Sequence, residues 1–275
     1  MKLLIMGGNG MAGHMLVDYF RLQGRHQVFY TTRNNSDDGG LIVDMTDSHL
    51  VEQLIEMVRP HVIINAVGVL NQEAEKNPID AYYINGILPH RICNVADNIG
   101  ARVMHISTDC VFSGTRGSYT ETDAPDGMTV YAMSKALGEI HSQGHLTIRT
   151  SIIGPEIRAH RIGLLDWFLK QKGDILGYQQ VFWNGITTLE LAKAMDSFLE
   201  KELSGLIHLV QSKPMNKHDL LLLFQVIWGK SDIRILPDTQ LTQDKTLVNT
   251  RKDLHYEVPS YETMLNELEC WMRTS

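Results

Sequence analysis

Hydrophobic and polar positions in the first 155 residues follow two alternating patterns. Short apolar runs are typical of buried strands, and segments of helical periodicity separate them. The apolar runs predict strands at Lys2–Met6, Gln27–Thr31, His61–Asn65, Arg102–Ser107 and Leu146–Thr150. The periodic segments predict helices at Met11–Gln23, Ser48–Val58, Asp80–Ile99 and Val130–Gln143. Because alternating strands and helices form right-handed crossovers, we predict an α/β fold with a doubly wound parallel sheet of Rossmann type.

The remaining residues are less regular. They predict helices at Leu164–Lys172, Leu189–Leu203, Lys217–Trp228 and Ser260–Met272, and strands at Ile207–Val210 and Ile233–Leu236. Gly173–Gly185 contains an Asn-Gly pair, which favours a turn, so we expect a loop over a pocket there. We expect residues 1–155 to form a dinucleotide-binding domain. Residues 156–275 are expected to form mostly a smaller α/β substrate lobe, with some segments returning to the sheet.

Charge and cysteine content exclude several classes of protein. The 275 residues include 25 Lys and Arg and 32 Asp and Glu, a formal net charge of -7. A mildly acidic chain without a basic block binds nucleic acid and membrane surfaces poorly, so we expect neither partner. Three widely spaced cysteines, Cys93, Cys110 and Cys270, predict free thiols in a reducing compartment. With no apolar run of about 18 residues, we expect no transmembrane helix. We expect a cytoplasmic protein that is either a monomer or a homodimer.

A glycine-rich turn follows the first predicted strand. Gly7, Gly10 and Gly13 are spaced Gly-x-x-Gly-x-x-Gly, and Met11 opens the next helix. A turn this tight directs the helix N-terminus, with its free amides and dipole, at a dinucleotide pyrophosphate. The alternative is an ordinary glycine-rich turn between a strand and a helix, but its position after an N-terminal strand favours a nucleotide.

The second strand bears on the choice of cofactor. It ends Tyr-Thr-Thr-Arg33, with no acidic residue there to bind a ribose 2′-hydroxyl, and Arg33 suits a 2′-phosphate. We therefore expect NADPH, with NADH as the alternative if Arg33 is only a solvated loop residue. Asp44 and Met45 fit an adenine-side contact. The alternative for this segment is that Asp47 or Ser48 simply caps the next helix.

Tyr131 and Lys135 form a Tyr-x-x-x-Lys pair near the start of a predicted helix. A spacing of four places both side chains on one helix face, where a lysine charge favours the phenolate and lowers the tyrosine pKa. Such a phenol exchanges a proton with a carbonyl or alcohol oxygen. Thr108 follows the fourth strand, at the sheet edge where ligands bind in open α/β folds. The alternatives are a structural Tyr and Lys, and a Thr108 that satisfies only turn backbone.

The motifs together resemble the extended short-chain dehydrogenase/reductase superfamily, and more narrowly the dTDP-4-dehydrorhamnose reductase family. The resemblance is carried by Gly7–Gly13, Asn65–Gly68, Asn85, the Ser107–Gly114 run STDCVFSG and Tyr131–Lys135. It implies a nicotinamide cofactor and reduction of a 4-keto group on a nucleotide-linked deoxyhexose. It also implies catalysis by Thr108, Tyr131 and Lys135, with Tyr131 as the acid and Lys135 also on the nicotinamide ribose. Asn65, Ala66 and Gly68 would lie along the cofactor.

Two positions depart from the family pattern. Many rhamnose reductases have Tyr where this chain has Cys110, so a substrate contact at Cys110 is expected to differ. Some members bind magnesium through acidic residues early in the first helix, where this chain reads His14-Met15-Leu16. We therefore predict no metal.

The substrate side is less defined by sequence. Candidate contacts are Ser151 after the fifth strand, the aromatic residues Tyr178 and Trp183, and the amide of Asn184. Trp183 in the core and Asn184 in a plain turn are equal alternatives. The candidate diphosphate partners are Arg158, Arg161 and Arg251.

The sequence thus predicts an NADPH-dependent sugar-nucleotide reductase of surface polysaccharide or deoxysugar biosynthesis. The alternatives are an epimerase or dehydratase on the same fold and a non-catalytic NADP-binding regulatory subunit. A dehydratase is disfavoured because Thr108 is followed by Asp109-Cys110 and not by an acidic pair.

Overall fold

A seven-stranded, wholly parallel sheet organises the chain in the computed structural model, which describes residues 1–35, 37, 39–157 and 163–274. Its order is β10-β6-β5-β4-β1-β2-β3. The strands are β1 Lys2–Met6, β2 Gln27–Thr32, β3 Leu41–Ile42, β4 Val62–Asn65, β5 Arg102–Thr108, β6 Leu146–Thr150, β7 Ile152–Ile153, β8 Gly173–Trp183, β9 Ile186–Thr187, β10 Gly205–His208, β11 Met215–Asn216 and β12 Ile233–Asp244. The predicted α/β fold with a doubly wound parallel sheet is confirmed.

Helices cover both faces of this sheet. They are α1 Met11–Gln23, α2 Ser48–Val58, α3 Asn71–Lys76, α4 Pro78–Ala81, α5 Leu88–Ile99, α6 Val130–Leu137, α7 Leu164–Lys170, α8 Thr188–Phe198, α9 Lys217–Ile227 and α10 Tyr261–Thr274. One hydrophobic core unites residues of α1, α8 and α10 with one sheet face, and a second unites residues of α2 and α5 with the other. The central strands β1 and β4 are apolar apart from Lys2 and Asn65 at their ends, because they are buried on both faces. None of the helices in the described ranges is long and apolar enough to cross a membrane.

The C-terminal part returns one strand, β10, to the large sheet and forms a small sheet in which β8 lies between β11 and β12. A second small sheet pairs β9 with β7, which precedes residue 155. The predicted loop at Gly173–Gly185 is wrong, because most of it is strand β8. The side chains of β8 alternate in part between buried and exposed positions, as in a strand. Its pairing partner is β12, a parallel strand about 50 residues further along the chain, so the local sequence could not indicate this pairing. We propose that residues 1–155 bind the dinucleotide and that residues 156–275 form mostly the substrate lobe.

The long helix predicted over Asp80–Ile99 is interrupted. Its middle, Tyr82–Ile87, is a π-helical turn between α4 and α5. Pro89 in the first turn of α5 has no N–H to donate to the carbonyl four residues earlier, which disfavours a regular helix here. π-Helical turns occur often at functional sites, and this one carries Asn85.

Candidate functional site

The glycine turn between β1 and α1 is closed by backbone contacts that exclude side chains. Gly7 has φ +84, and a Cβ there would lie 3.2 Å from the backbone of Ala66 on the neighbouring strand loop. A Cβ on Gly13 would lie 2.0 Å from the Gly7 carbonyl oxygen. Gly7 N–H donates to Thr31 Oγ1 at 2.8 Å, which anchors the turn to β2. The turn therefore needs glycine at both positions.

The N-terminus of α1 points its first amides out of this turn. Its N-cap is Gly10, no side chain caps it, and the first turn carries no acidic residue. The first-turn N–H groups, beginning at Met11, have no partner inside the helix, and the dipole adds positive potential. A pyrophosphate fits the donor set of such a helix end.

Two charged residues follow the neighbouring strands β2 and β3: Arg33 comes after β2 and Asp44 after β3. Hydrogen bonds from the backbone and side chain of Thr46 lower the pKa of Asp44, and the charge of the exposed Arg33 adds to this to a smaller extent. Met45 is buried in the second hydrophobic core, and Asp47 caps α2 by accepting from two backbone amides. The structure therefore leaves Arg33 and Asp44 accessible at this corner and places Met45 inside.

Sequence reasoning missed an acidic residue at the same corner. Asp37 accepts hydrogen bonds from Tyr30 Oη at 2.6 Å and from Asn9 Nδ2, in the glycine turn, at 3.1 Å. It lines a cavity of about 350 Å³ beside Gly8 and His14. The missed signal is an Asp roughly 20 residues after the glycine motif, the position at which an acidic side chain binds a ribose hydroxyl.

The loop after β4 borders the glycine turn on its other side. Asn65, at the end of β4, is buried and accepts the Val67 N–H through Oδ1 at 3.2 Å. Asn85 brackets the next segment by binding both the N–H and the C=O of Val69 at 2.9 Å. Ala66 and Gly68 stay partly exposed between these two anchors, along the path from the glycine turn to β5.

Thr108, Tyr131 and Lys135 meet at the carboxyl end of β5. Thr108 ends β5, and its hydroxyl is near enough to the phenol of Tyr131 to lower the pKa of that phenol. Lys135 is buried one helical turn after Tyr131, and its Nζ donates to the Ile106 carbonyl at 2.7 Å. The structure thus brings the three predicted catalytic residues together.

The electrostatics of Tyr131 differ from the prediction. Burial raises its pKa, chiefly by desolvating the phenolate, and the charges of Cys110 and Asp109 act in the same direction. The Thr108 hydroxyl opposes this only in part. Burial also lowers the pKa of Lys135 to about 8. The expectation that Lys135 lowers the Tyr131 pKa is therefore wrong for this state of the protein, because burial desolvates the phenolate and raises that pKa.

A buried ion pair between Glu139 and Arg149 lies next to the elements that carry the catalytic residues, β5 and α6. Arg149 of β6 binds both carboxylate oxygens of Glu139, each at 2.6 Å, and the Ser107 hydroxyl donates to the same carboxylate at 2.7 Å. The three residues belong to β5, β6 and the segment after α6. The pair therefore fixes α6, which carries Tyr131 and Lys135, against the sheet.

Two lysines from the C-terminal third also reach the catalytic turn, and sequence reasoning missed both. The charges of Lys217, which begins α9, and Lys245, which follows β12, lower the pKa of Asp109, although burial raises it overall. Lys217 Nζ lies 4.9 Å from the ring centre of Trp183, and burial lowers its pKa to about 8. No local motif marks these lysines, because the fold alone brings them to Asp109.

The predicted substrate residues Ser151, Trp183 and Asn184 lie together, but mostly in the interior. Trp183 Nε1 donates to Ser151 Oγ at 2.9 Å, and its side chain belongs to the large core. The Asn184 amide binds the backbone of Gln211 and Leu247 on both its nitrogen and its oxygen.

The other predicted contacts are scattered. Cys110 lies beside Thr108, with a pKa that burial raises to about 11. Tyr178 is exposed in the middle of β8, five residues before Trp183 and so roughly 16 Å away along the strand. Arg251 is paired with Asp253 and bound to carbonyls at β10.

Arg158 and Arg161, the other predicted diphosphate partners, lie outside the described residues. Within the described ranges, no group of three His, Cys, Asp or Glu side chains is placed to hold a metal ion.

Comparison with known proteins agrees with this arrangement. The dTDP-4-dehydrorhamnose reductase of Aggregatibacter actinomycetemcomitans is 32% identical over 140 residues, 50% of this chain and 45% of that protein. The methionine adenosyltransferase 2 subunit beta of Rattus norvegicus is 31% identical over 142 residues, 50% of this chain and 41% of that protein. Each match therefore spans about half of this chain and less than half of the relative.

Solved structures show the same fold over the whole length. A dTDP-4-dehydrorhamnose reductase from Bacillus anthracis in complex with NADP superposes with a TM-score of 0.84 at 20% identity, covering 99% of both chains. The family described as RmlD substrate binding domain matches residues 1–227. With the glycine turn, the STDCVFSG run and the Tyr131–Lys135 pair inside that range, the chain belongs to the RmlD substrate binding domain family.

Proposed function

We propose that the protein is an NADPH-dependent reductase of a nucleotide-linked 4-keto-deoxyhexose in surface polysaccharide or deoxysugar biosynthesis. The observation that carries this proposal is the convergence of Thr108, Tyr131 and Lys135 at the carboxyl end of β5. The relative from Aggregatibacter actinomycetemcomitans, named for the same reaction class, supports it.

The glycine turn and the α1 amides would hold the cofactor pyrophosphate, with Asn65, Ala66 and Gly68 along its path and Lys135 on the nicotinamide ribose. When bound, the nicotinamide supplies the hydride that reduces the keto carbon. Tyr131 donates its phenolic proton to the carbonyl oxygen as that oxygen gains negative charge. Because burial raises the pKa of Tyr131, the phenol keeps its proton at neutral pH, as an acid in the reduction direction must.

The Thr108 hydroxyl orients the same oxygen against Tyr131, since it lies near enough to the phenol to affect its pKa. The charged form of Lys135 stabilises the phenolate that remains after proton transfer. Arg33 and Asp37 favour different cofactors. The guanidinium of Arg33 suits the 2′-phosphate of NADPH, and the carboxylate of Asp37 suits the 2′-hydroxyl of NADH. We propose NADPH as the preferred cofactor, with NADH accepted more weakly.

For the substrate, we propose Lys217 and Lys245 as the cationic side of the pocket. Both act on Asp109, next to Thr108, and so reach the place where a sugar held by Tyr131 would extend. A sugar nucleotide carries a diphosphate that such ammonium groups bind. Asn184 receives a structural role in this proposal, because its amide is already satisfied by backbone. A monomer or a homodimer is consistent with this site.

The test replaces Tyr131 by Phe and uses Tyr82→Phe, on the π-helical turn, as the matched control. NADPH oxidation is followed with a series of nucleotide-linked 4-keto-6-deoxyhexoses. Tyr131→Phe should lower kcat by roughly 10²–10⁴-fold while NADPH binding, measured by fluorescence titration, stays unchanged. Tyr82→Phe should behave as wild type. Normal turnover by Tyr131→Phe contradicts the assignment of the acid.

A regulatory role is the second candidate, and the 31% identity to methionine adenosyltransferase 2 subunit beta favours it. In that case the chain binds NADPH tightly, turns over no sugar nucleotide and alters the activity of a methionine adenosyltransferase when the two are mixed. Turnover of one sugar nucleotide that depends on Tyr131 excludes this alternative.

A further inference from the structure

His105 lies in the centre of the sheet beneath the catalytic residues and has no part in the mechanism above. It stands on β5 in register with Asn65 of β4, and it is fully buried. Its ring has two polar neighbours: Asn65 Nδ2 lies 3.1 Å from Nδ1, and Lys135 Nζ lies 3.3 Å from Nε2. One imidazole therefore links an amide on the cofactor side to the catalytic lysine.

The hydrogen atoms of this link can be assigned from the donors. Val67 N–H donates to Asn65 Oδ1, so the Asn65 NH₂ group must face His105. An amide nitrogen only donates, so Nδ1 of His105 is the acceptor. Burial and the charges of Lys135 and His90 lower the pKa of His105 well below its usual value, so the ring is neutral. Its single hydrogen then sits on Nε2 and points at Lys135.

An N–H directed at Lys135 has a partner only if Nζ presents a lone pair. An ammonium has three hydrogens and no lone pair, whereas a neutral amine accepts one bond and still donates to the Ile106 carbonyl. Glu139, on the segment after α6, favours the charged lysine, but Arg149 occupies both of its oxygens. The surroundings of Lys135 are therefore arranged for the neutral amine.

We propose that His105 is a positioning residue that holds Lys135 at the Ile106 carbonyl and stabilises its neutral amine form. The catalytic role of this His105–Lys135 contact rests on the proposed function. After Tyr131 has protonated the product oxygen, an N–H bond of the Lys135 ammonium breaks, its electron pair stays on Nζ and the phenolate takes the proton. The Nε2–H of His105 then donates a hydrogen bond to the lone pair of the neutral Lys135 amine. Solvent water returns a proton to Lys135 between turnovers.

The experiment measures the proton affinity of Lys135 directly, in the protein without cofactor or substrate. Lysines carry ¹³C at Cε, the Lys135 signal is identified by its loss in Lys135→Met, and its shift is followed from pH 6 to 11. In wild type it should titrate near pH 8. In His105→Leu, which removes the N–H, the midpoint should rise by about one pH unit, a tenfold change in proton affinity. His105→Gln, whose side-chain amide keeps an N–H donor close to Lys135, should restore the wild-type midpoint.

The control is His49→Leu, which removes an exposed imidazole from α2 and should leave the Lys135 midpoint unchanged. A wild-type midpoint near the ordinary lysine value of about 10.4 overturns the proposal, and this holds even if His105→Leu does not fold. Equal midpoints in wild type and His105→Leu also overturn it, as does a Gln variant that behaves like the Leu variant. The titration needs no turnover, so it is independent of whether the sugar-nucleotide assignment holds.

Discussion

The buried ion pair between Glu139 and Arg149 should give one of the largest stability losses on truncation. Both side chains are at most 2% exposed, and two hydrogen bonds of 2.6 Å join them. Glu139→Ala leaves a guanidinium buried without its charge partner and removes the acceptor of the Ser107 hydroxyl. Removing one partner of a buried pair costs about 3–5 kcal/mol. At roughly 2–4 °C per kcal/mol for a chain of this size, Tm should fall by about 6–20 °C.

The assay is urea unfolding at pH 7 and 25 °C, read by far-UV circular dichroism. Glu139→Leu combined with Arg149→Met should lose less stability than the sum of the two single changes, because neither charge is then left unpaired. The matched control is Glu52→Ala, which breaks a partly exposed pair with Arg91 at 2.6 Å and should change the midpoint far less. Similar losses of stability in Glu139→Ala and Glu52→Ala would show that the buried ion pair has no special weight.

Two further predictions concern ligand binding. Lys217→Met should raise KM for the sugar nucleotide about tenfold with little change in kcat. In wild type the same KM should rise above pH 8, since the pKa of Lys217 is lowered to about 8 and its positive charge is lost as pH rises through that value. A KM that is flat from pH 7 to 9 contradicts this role. Arg33→Ala should weaken NADPH binding about tenfold and spare NADH, whereas Asp37→Asn should weaken NADH, both measured by fluorescence titration. Equal effects on the two cofactors contradict the assignment.

The sequence was most informative where a function depends on neighbouring residues. The glycine turn is an example, because tight spacing and a following helix are local properties, and the backbone contacts of Gly7 and Gly13 show why no other residue fits. The cap of α2 by Asp47 is another, since capping needs only the next few amides. The register of Tyr131 and Lys135 on one helix face follows from the helical period alone.

Errors arose where a distant segment decided the structure. Gly173–Gly185 carries turn residues, but pairing with β12 makes most of it a strand. By contrast, the break at Tyr82–Ile87 has a local cause, Pro89, which the helical periodicity of this segment does not reveal. Lys217 reaches Asp109 only because α9 packs at the catalytic edge.

The sequence by itself determined the main alternation of strands and helices in the first 155 residues, the glycine turn and the place of Tyr131 and Lys135 on one helix face, because these depend on residues close in the chain. Only the tertiary structure decided the charge states at the site. Spacing predicted that Lys135 would lower the Tyr131 pKa, yet burial raises it and lowers that of Lys135. A pKa depends on desolvation and on groups that the fold brings near, such as Cys110 and Asp109 beside Tyr131, and neither can be derived from spacing along the chain.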